Sequence, residues 1–376
     1  MKKLLLLAAC LATLSMSAQD YTLTKVWESA EVPANADNRA GFGKGGYFYI
    51  NDKATQTINV FDAEGMITNV YPNGGANCGV TLDQAGNIIV SLATFPNGWV
   101  CDGETPALRV ISPDGTQTLE IPIPADYPLT GRQDMIGFAK GNMLTDGEIY
   151  LTGATDMGDK VLRLVVTDGA LDEDNTYIAN IDAGLGSSAI SGTVINAWTD
   201  ADGNDRLLHV TRNALPLNLY FDGDDLVGEK WSLPNKGACM GAFPFVFDGK
   251  NMVVYPTLPN YLDGFAIAEV GAEAPIAEVE AVATANANAF QANWLNAEVV
   301  DEYTVNIYQY YPGGHMTMWK LTKPNTAVTN VNASKTVKGV KYVNAAGQVS
   351  STAFDGVNMV VTTYTDGTQN TVKVVK

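Results

Sequence analysis

Short runs in which apolar and polar residues alternate, separated by Gly, Asp and Asn turns, recur along most of this chain. In Tyr47-Phe48-Tyr49-Ile50 and Thr57-Ile58-Asn59-Val60-Phe61 every second side chain can face one side. A period of two reads as half-buried strands, and no stretch sustains the 3.6-residue period of a helix. The first set of strands is expected at 39–44, 47–50, 57–61 and 67–71. The second is expected at 79–83, 87–92, 107–111 and 116–123, and the third at 135–139, 148–152, 161–166 and 176–181. A fourth falls at 190–198, 206–211, 217–221 and 226–233, and a fifth at 241–247, 251–256, 265–270 and 276–282.

A small residue stands where the first strand of each set begins. The fragments are Ala40-Gly41-Phe42, Cys78-Gly79-Val80, Ile136-Gly137-Phe138, Ser191-Gly192-Thr193, Met240-Gly241-Ala242 and Asn288-Ala289-Phe290. Six strands converging on one axis need such residues, because a bulky side chain would hold the backbones apart. A repeat of roughly 50 residues built from four strands is the pattern of a β-propeller blade. The sixth set supplies only three strands, at 289–295, 303–310 and 316–321, while an unassigned strand at 21–27 precedes the first set. Pairing the two would remove an exposed edge. The expected fold is therefore all-β: a six-bladed β-propeller over residues 19–324, closed by an N-terminal strand, then a short linker and a small β module over 325–376.

Charge and cysteine usage narrow the setting. Lys2 and Lys3, the apolar residues Leu4 to Leu14 and the small residues before Gln19 read as a signal peptide over residues 1–18. A competing reading takes Leu7-Ala8-Ala9-Cys10 as a lipobox. The expected location is outside the inner membrane, at the outer cell surface or beyond it, with the periplasm or a lipid anchor as the alternatives and no transmembrane segment. Without residues 1–18 the chain carries 21 basic side chains against 41 acidic ones. Such a surface repels nucleic acid and anionic lipid. Cys78, Cys101 and Cys239 would remain. The spacing matches no zinc site; Cys78 and Cys101 could bridge two strands of one blade, or all three could be small buried residues.

The chemistry-bearing residues form no familiar catalytic set. His209 and His315 are the only histidines; His209 lies in a strand interior and reads as structural, and His315 after Pro312-Gly313-Gly314 reads as exposed. Residues just before the first strands would ring one mouth of the tunnel: Asn38 and Arg39, Asn77, Arg132 and Asp134, Ser188, and Asn288. Amides, a hydroxyl and arginines suit hydrogen-bonded ligand recognition. Trp99, in a long loop, could stack on a sugar or protein. Asp134 with a second carboxylate would suit glycan hydrolysis or lyase chemistry instead. Asp200, Asp202, Asn204 and Asp205 alternate as the oxygen ligands of a calcium loop do, or as a polar hairpin does. No other cofactor is expected.

From Gly339 the chain reads GVKYVNAAGQVSS, then FDGVNMVVTTYTDGTQNTVKVVK, which suggests three short strands with turns at Ala346-Gly347 and Asp366-Gly367. After Pro324 five lysines face only Asp355 and Asp366, so this part is basic. Residues 338–376 resemble the C-terminal sorting domain of type IX secretion cargo, a resemblance that implies export across a Gram-negative outer membrane. The strand-turn rhythm of the rest is similar to secreted NHL-like six-bladed propellers, a likeness that transfers no site residue. The function expected is non-catalytic binding of a carbohydrate or protein ligand by a monomeric propeller. A glycan-active enzyme and a structural surface protein are the alternatives.

Overall fold

A computed structural model describes residues 21–29, 40–75, 79–92, 107–123, 135–152, 159–186, 193–212, 214–260, 262–282, 293–311, 314–323 and 336–376. Strands dominate; the only helical elements among these residues are two 3-10 turns, Ala183–Leu185 and Cys239–Gly241. No helix among them is long and apolar enough to cross a membrane. The strand β1 (Thr22–Ser29) comes first. The first sheet follows with β2 (Gly41–Lys44), β3 (Tyr47–Asp52), β4 (Thr57–Phe61) and β5 (Ile67–Pro72). The second holds β6 (Val80–Leu82), β7 (Ile88–Ser91), β8 (Ala107–Ile111) and β9 (Thr118–Pro122). The third has five strands, β10 (Lys140–Asn142), β11 (Asp146–Leu151), β12 (Lys160–Thr167), β13 (Ala170–Leu171) and β14 (Tyr177–Asn180), the last two both paired with β12.

The fourth sheet contains β15 (Val194–Thr199), β16 (Asp205–Val210), β17 (Leu217–Asp222) and β18 (Asp225–Lys230). The fifth contains β19 (Phe243–Phe247), β20 (Lys250–Pro256), β21 (Phe265–Glu269) and β22 (Ala277–Val279). The sixth consists of β23 (Trp294–Asp301), β24 (Thr304–Tyr311) and β25 (His315–Thr322), with β1 hydrogen-bonded to β25 from Thr22 opposite Thr322 to Ser29 opposite Met316. The seventh is β26 (Val337–Asn344), β27 (Val349–Ser350), β28 (Val357–Tyr364) and β29 (Gln369–Val375). The described strands thus form seven antiparallel sheets, where the sequence pattern counts six blades. The chain divides into two compact units, Met1–Lys323 with the first six sheets and Pro324–Lys376 with the seventh. The arrangement is that of a β-propeller.

Several boundaries differ from those read in the sequence. The first strand of the third sheet begins at Lys140 rather than Met135, and that of the sixth is described from Trp294, its expected start at Ala289 lying outside the described residues. The C-terminal unit has four strands rather than three. In the third sheet the extra pair arises because Asp168 and Gly169, both at positive φ, turn β12 back onto β13.

In the first unit the opening strands of successive sheets lie side by side. β2 neighbours both β6 and β23, and β15 neighbours both β11 and β19. A parallel bridge from Asp83 to Ala139 joins the second sheet to the third. Close approach is literal here: a Cβ built on Gly137 would stand 1.7 Å from the Ile195 carbonyl oxygen, and one on Gly241 1.9 Å from that of Asn293. Asparagines then lock these backbones. Asn196 Oδ1 accepts from the Phe138 N–H at 2.9 Å, and Asn296 spans Gly43 twice, accepting from its N–H and donating to its carbonyl. Between sheets the core is apolar and aromatic. Phe48 lies edge-on to Tyr308 at 5.9 Å, and Phe48, Phe61, Tyr255, Phe265, Tyr308 and Tyr310 are fully buried. Each such side chain contributes on the order of 2 kcal/mol through the area it removes from water.

Candidate binding site at the axial mouth

Residues in or just before the opening strands of all six sheets in the first unit line one axial void of about 30 Å³. Ala40, Val80, Ile136, Val194, Met240 and Trp294 are among its lining residues. That is room for little more than a water molecule. Three phenylalanines, each one or two residues past a glycine of the opening fragments (Gly41, Gly137 and Gly241), pack together, and Phe42 and Phe243 among them line the void. Phe42 and Phe138 stack at 5.4 Å with an interplanar angle of 7°, and Phe243 meets both edge-on, at 5.7 and 6.0 Å. Offset and edge-on pairs of this kind add about 1 kcal/mol each beyond their buried area.

On these rings rests a cavity of about 300 Å³, at the end where the opening strands finish. Its floor and walls are Phe42, Phe138, Phe243, Phe245, Pro244 and Trp198. Phe138 is half-buried, so its ring is shared between the plug and the opening, whereas Phe42, Phe243 and Trp198 are buried. The rim is polar and its groups already have partners. Lys44 Nζ donates to the carbonyl of Gln84 at 2.9 Å, and Gln84 Oε1 accepts from the Gly141 N–H. Glu298 accepts from the Gly45 N–H at 2.8 Å and from the Tyr308 hydroxyl at 2.8 Å. Burial, then the Glu298 charge, raises the Tyr308 hydroxyl well above the ordinary phenol range, so it remains a donor. The Gly45-Gly46 pair, both at positive φ, makes the tight turn from β2 to β3 that carries these N–H groups to the rim.

Asn38, Arg39, Asn77, Trp99, Arg132, Asp134, Ser188 and Asn288, the ligand residues read from the sequence, lie outside the described residues, as do Cys78 and Cys101. The calcium-loop residues are described and form a hairpin. Asp200 Oδ1 accepts from the Asp202 and Asn204 N–H groups at 3.0 and 2.8 Å, and its Oδ2 from Arg206 Nε at 2.8 Å. Asp205 turns away to Lys140 Nζ at 2.5 Å. Among the described residues no group of three or more His, Cys, Asp or Glu is placed to hold a metal ion.

His315, read as exposed, is largely buried. It begins β25, and its Nε2 stands 3.6 Å from Asp263 beneath the Tyr311 ring. Burial lowers its pKa, and the Asp263 charge opposes that fall. His209 is buried in β16 and lowered to about 4 by burial alone. Cys239 is a buried free thiol pushed up to about 11 by burial, with Lys236 opposing, so it is not a thiolate nucleophile.

Comparison with known proteins adds the fold and no more. No family model and no curated protein matches the chain. Among solved structures it is similar to a DUF4623 family protein from Bacteroides eggerthii, with a TM-score of 0.58 and 11% identity over 77% of this chain and 72% of that one. A protein of unknown function from Dyadobacter fermentans has a TM-score of 0.43 at 11% identity, covering 80% of this chain and 99% of its own. The BBS1N fragment solved in complex with ARL6DN has a TM-score of 0.44 at 10% identity, covering 81% and 98%.

Proposed function

We propose that this protein is an exported six-bladed propeller that captures a protein partner, without catalysis, by taking an apolar side chain into the cavity above the phenylalanine plug. The observation that carries the reading is the contrast between the floor and the rim of that cavity. The floor is aromatic, while Lys44, Gln84 and Glu298 on the rim already have hydrogen-bond partners. A sugar needs many open donors and acceptors, whereas an apolar anchor needs area and the exclusion of water. Carboxylate-pair hydrolysis needs two acidic groups facing each other. Among the described residues this cavity offers one, Glu298, and it is engaged.

Six blades in the first unit are supported by its six sheets, by the void lined by residues in or just before their opening strands, and by the pairing of β1 with β25. Export, and passage by a type IX route, are supported by the character of residues 1–18 and the motifs of 338–376. The test uses the chain without residues 1–18 in thermal-shift screens against peptide and glycan panels, each stabilising hit then being assayed for turnover. Peptides with a large apolar residue are expected to stabilise the protein unchanged, and Phe138→Ala to weaken them about ten-fold. Stabilisation by glycans alone would replace the partner class, and consumption of a hit would replace binding by catalysis.

A further inference from the structure

A second cavity, of about 180 Å³, opens in the fourth sheet and shares no lining residue with the axial one. Its apolar walls are Ala214, Leu215 and Leu217, and its polar groups are His209, Thr211 and Lys230. Cavities of about 150 Å³ are known to take a benzene-sized guest, so this one has room for a molecule of several heavy atoms.

The polar groups are unusual for a structural hollow. His209 is 1% exposed, and its Nε2 has no hydrogen-bond partner among the described residues. An unmet buried polar atom costs about 1–3 kcal/mol. Leu207, Leu208 and Val210 around it in β16 are all apolar and buried, so a purely structural position would be served by another leucine. Thr211 Oγ1 accepts from the Ala214 N–H at 3.2 Å, which leaves its own O–H to donate. Lys230 is exposed at the lip and ion-paired to no carboxylate among the described residues. Its Nζ sits 3.7 Å from where a Cβ on Gly186 would stand. An unpaired cation is thus held at the mouth of a hollow whose interior has one open hydrogen-bond valence and an aliphatic wall.

We infer that this cavity binds a small hydroxylated carboxylate. Its anionic end pairs with Lys230, its short carbon chain lies on Leu215 and Leu217, and its hydroxyl supplies the bond that His209 lacks. In a chain with 41 acidic side chains against 23 basic ones, an open lysine is the element that would admit an anion here.

The experiment is a titration of the full chain with lactate, 3-hydroxybutyrate and 4-hydroxybutyrate, followed through the imidazole nitrogen resonances. With two histidines the assignment is made by His315→Gln. At least one of these acids should displace the His209 signal saturably, and Lys230→Met should weaken it about ten-fold, as should replacing the acid by its amide. Phe138→Ala should leave this response unchanged, which separates it from the axial cavity. No displacement by any of the three acids, or equal displacement in Lys230→Met, overturns the assignment. Lys230 is exposed, so its variant folds and the comparison stands.

Discussion

The first six sheets and the seventh are made from the same kind of strand, yet they bury their side chains very differently. In β6 and β7 every residue is buried, and β24 is buried from Val305 to Tyr311. In the seventh sheet Val337, Val340, Val349, Val357, Met359, Val372, Val374 and Val375 are all exposed, and only Asn358 and Tyr364 are buried. A blade is stable because neighbouring sheets cover both its faces. The four strands of the seventh sheet by themselves bury little and rely on their hydrogen bonds and turns. The lesson is that β-propensity and alternation specify a strand, while stability depends on what lies above and below it.

The sharpest way to break the comparison is to add a side chain where two opening strands touch. Gly137→Val would drive a methyl into the Ile195 carbonyl, and a loss of more than about 4 kcal/mol, or failure to fold, is expected in urea denaturation. The seventh sheet has no position with that sensitivity among its described glycines: Gly339 meets nothing within 4 Å.

Next is acid. His209 is held neutral in the folded state, at about 4 against an ordinary 6.5, so its contribution is complete above 6.5 and is lost as pH falls from 6.5 toward 4. That loss amounts to about 3 kcal/mol. His209→Gln should flatten the dependence of the urea midpoint over that interval, and an unchanged slope would contradict the depressed value. Asp83→Ala follows. It strips partners from the Asn87 and Met143 N–H groups, inside the second sheet and across to the third, and should cost about 2–3 kcal/mol by the same assay. The smallest effect belongs to the seventh sheet. Val372→Thr, on an exposed strand, should shift the midpoint of the first unit by less than about 0.5 kcal/mol.

Much of this architecture was legible because turns and alternation are local properties. The strands 107–111 and 265–269 and the hairpin at Gly45-Gly46 follow from residues only a few positions apart. Trp294, with which the described sixth opening strand begins, does not fit a rule that expects a small residue there. Here the close approach is provided from the other side, by Gly241 against Asn293, so Trp294 can be large. His315 was misjudged for a similar reason: a Pro-Gly-Gly turn suggests solvent, but the acid that covers it, Asp263, comes from the preceding sheet. The binding cavity was half-visible. Phe42 and Phe138 stand in the very fragments that mark the blade register, and Phe243 follows the fifth. Read as register marks alone, they do not reveal that the three rings meet, since only the packing of the sheets brings residues about 100 and 200 positions apart together.

The pairing of β1 with β25 also sets a clock. Thr22 finds its partner Thr322 three hundred residues later, so β1 stays unpaired on that edge until five further sheets have been made. Until the final blade exists, that segment is an open edge seeking any strand that will pair with it, and loop closure over this length is slow compared with the local hairpins. Production of the protein is therefore expected to depend on whatever shields its first strand while the rest is made. A nick near residue 25 would open the sixth sheet at one edge instead of merely trimming an end.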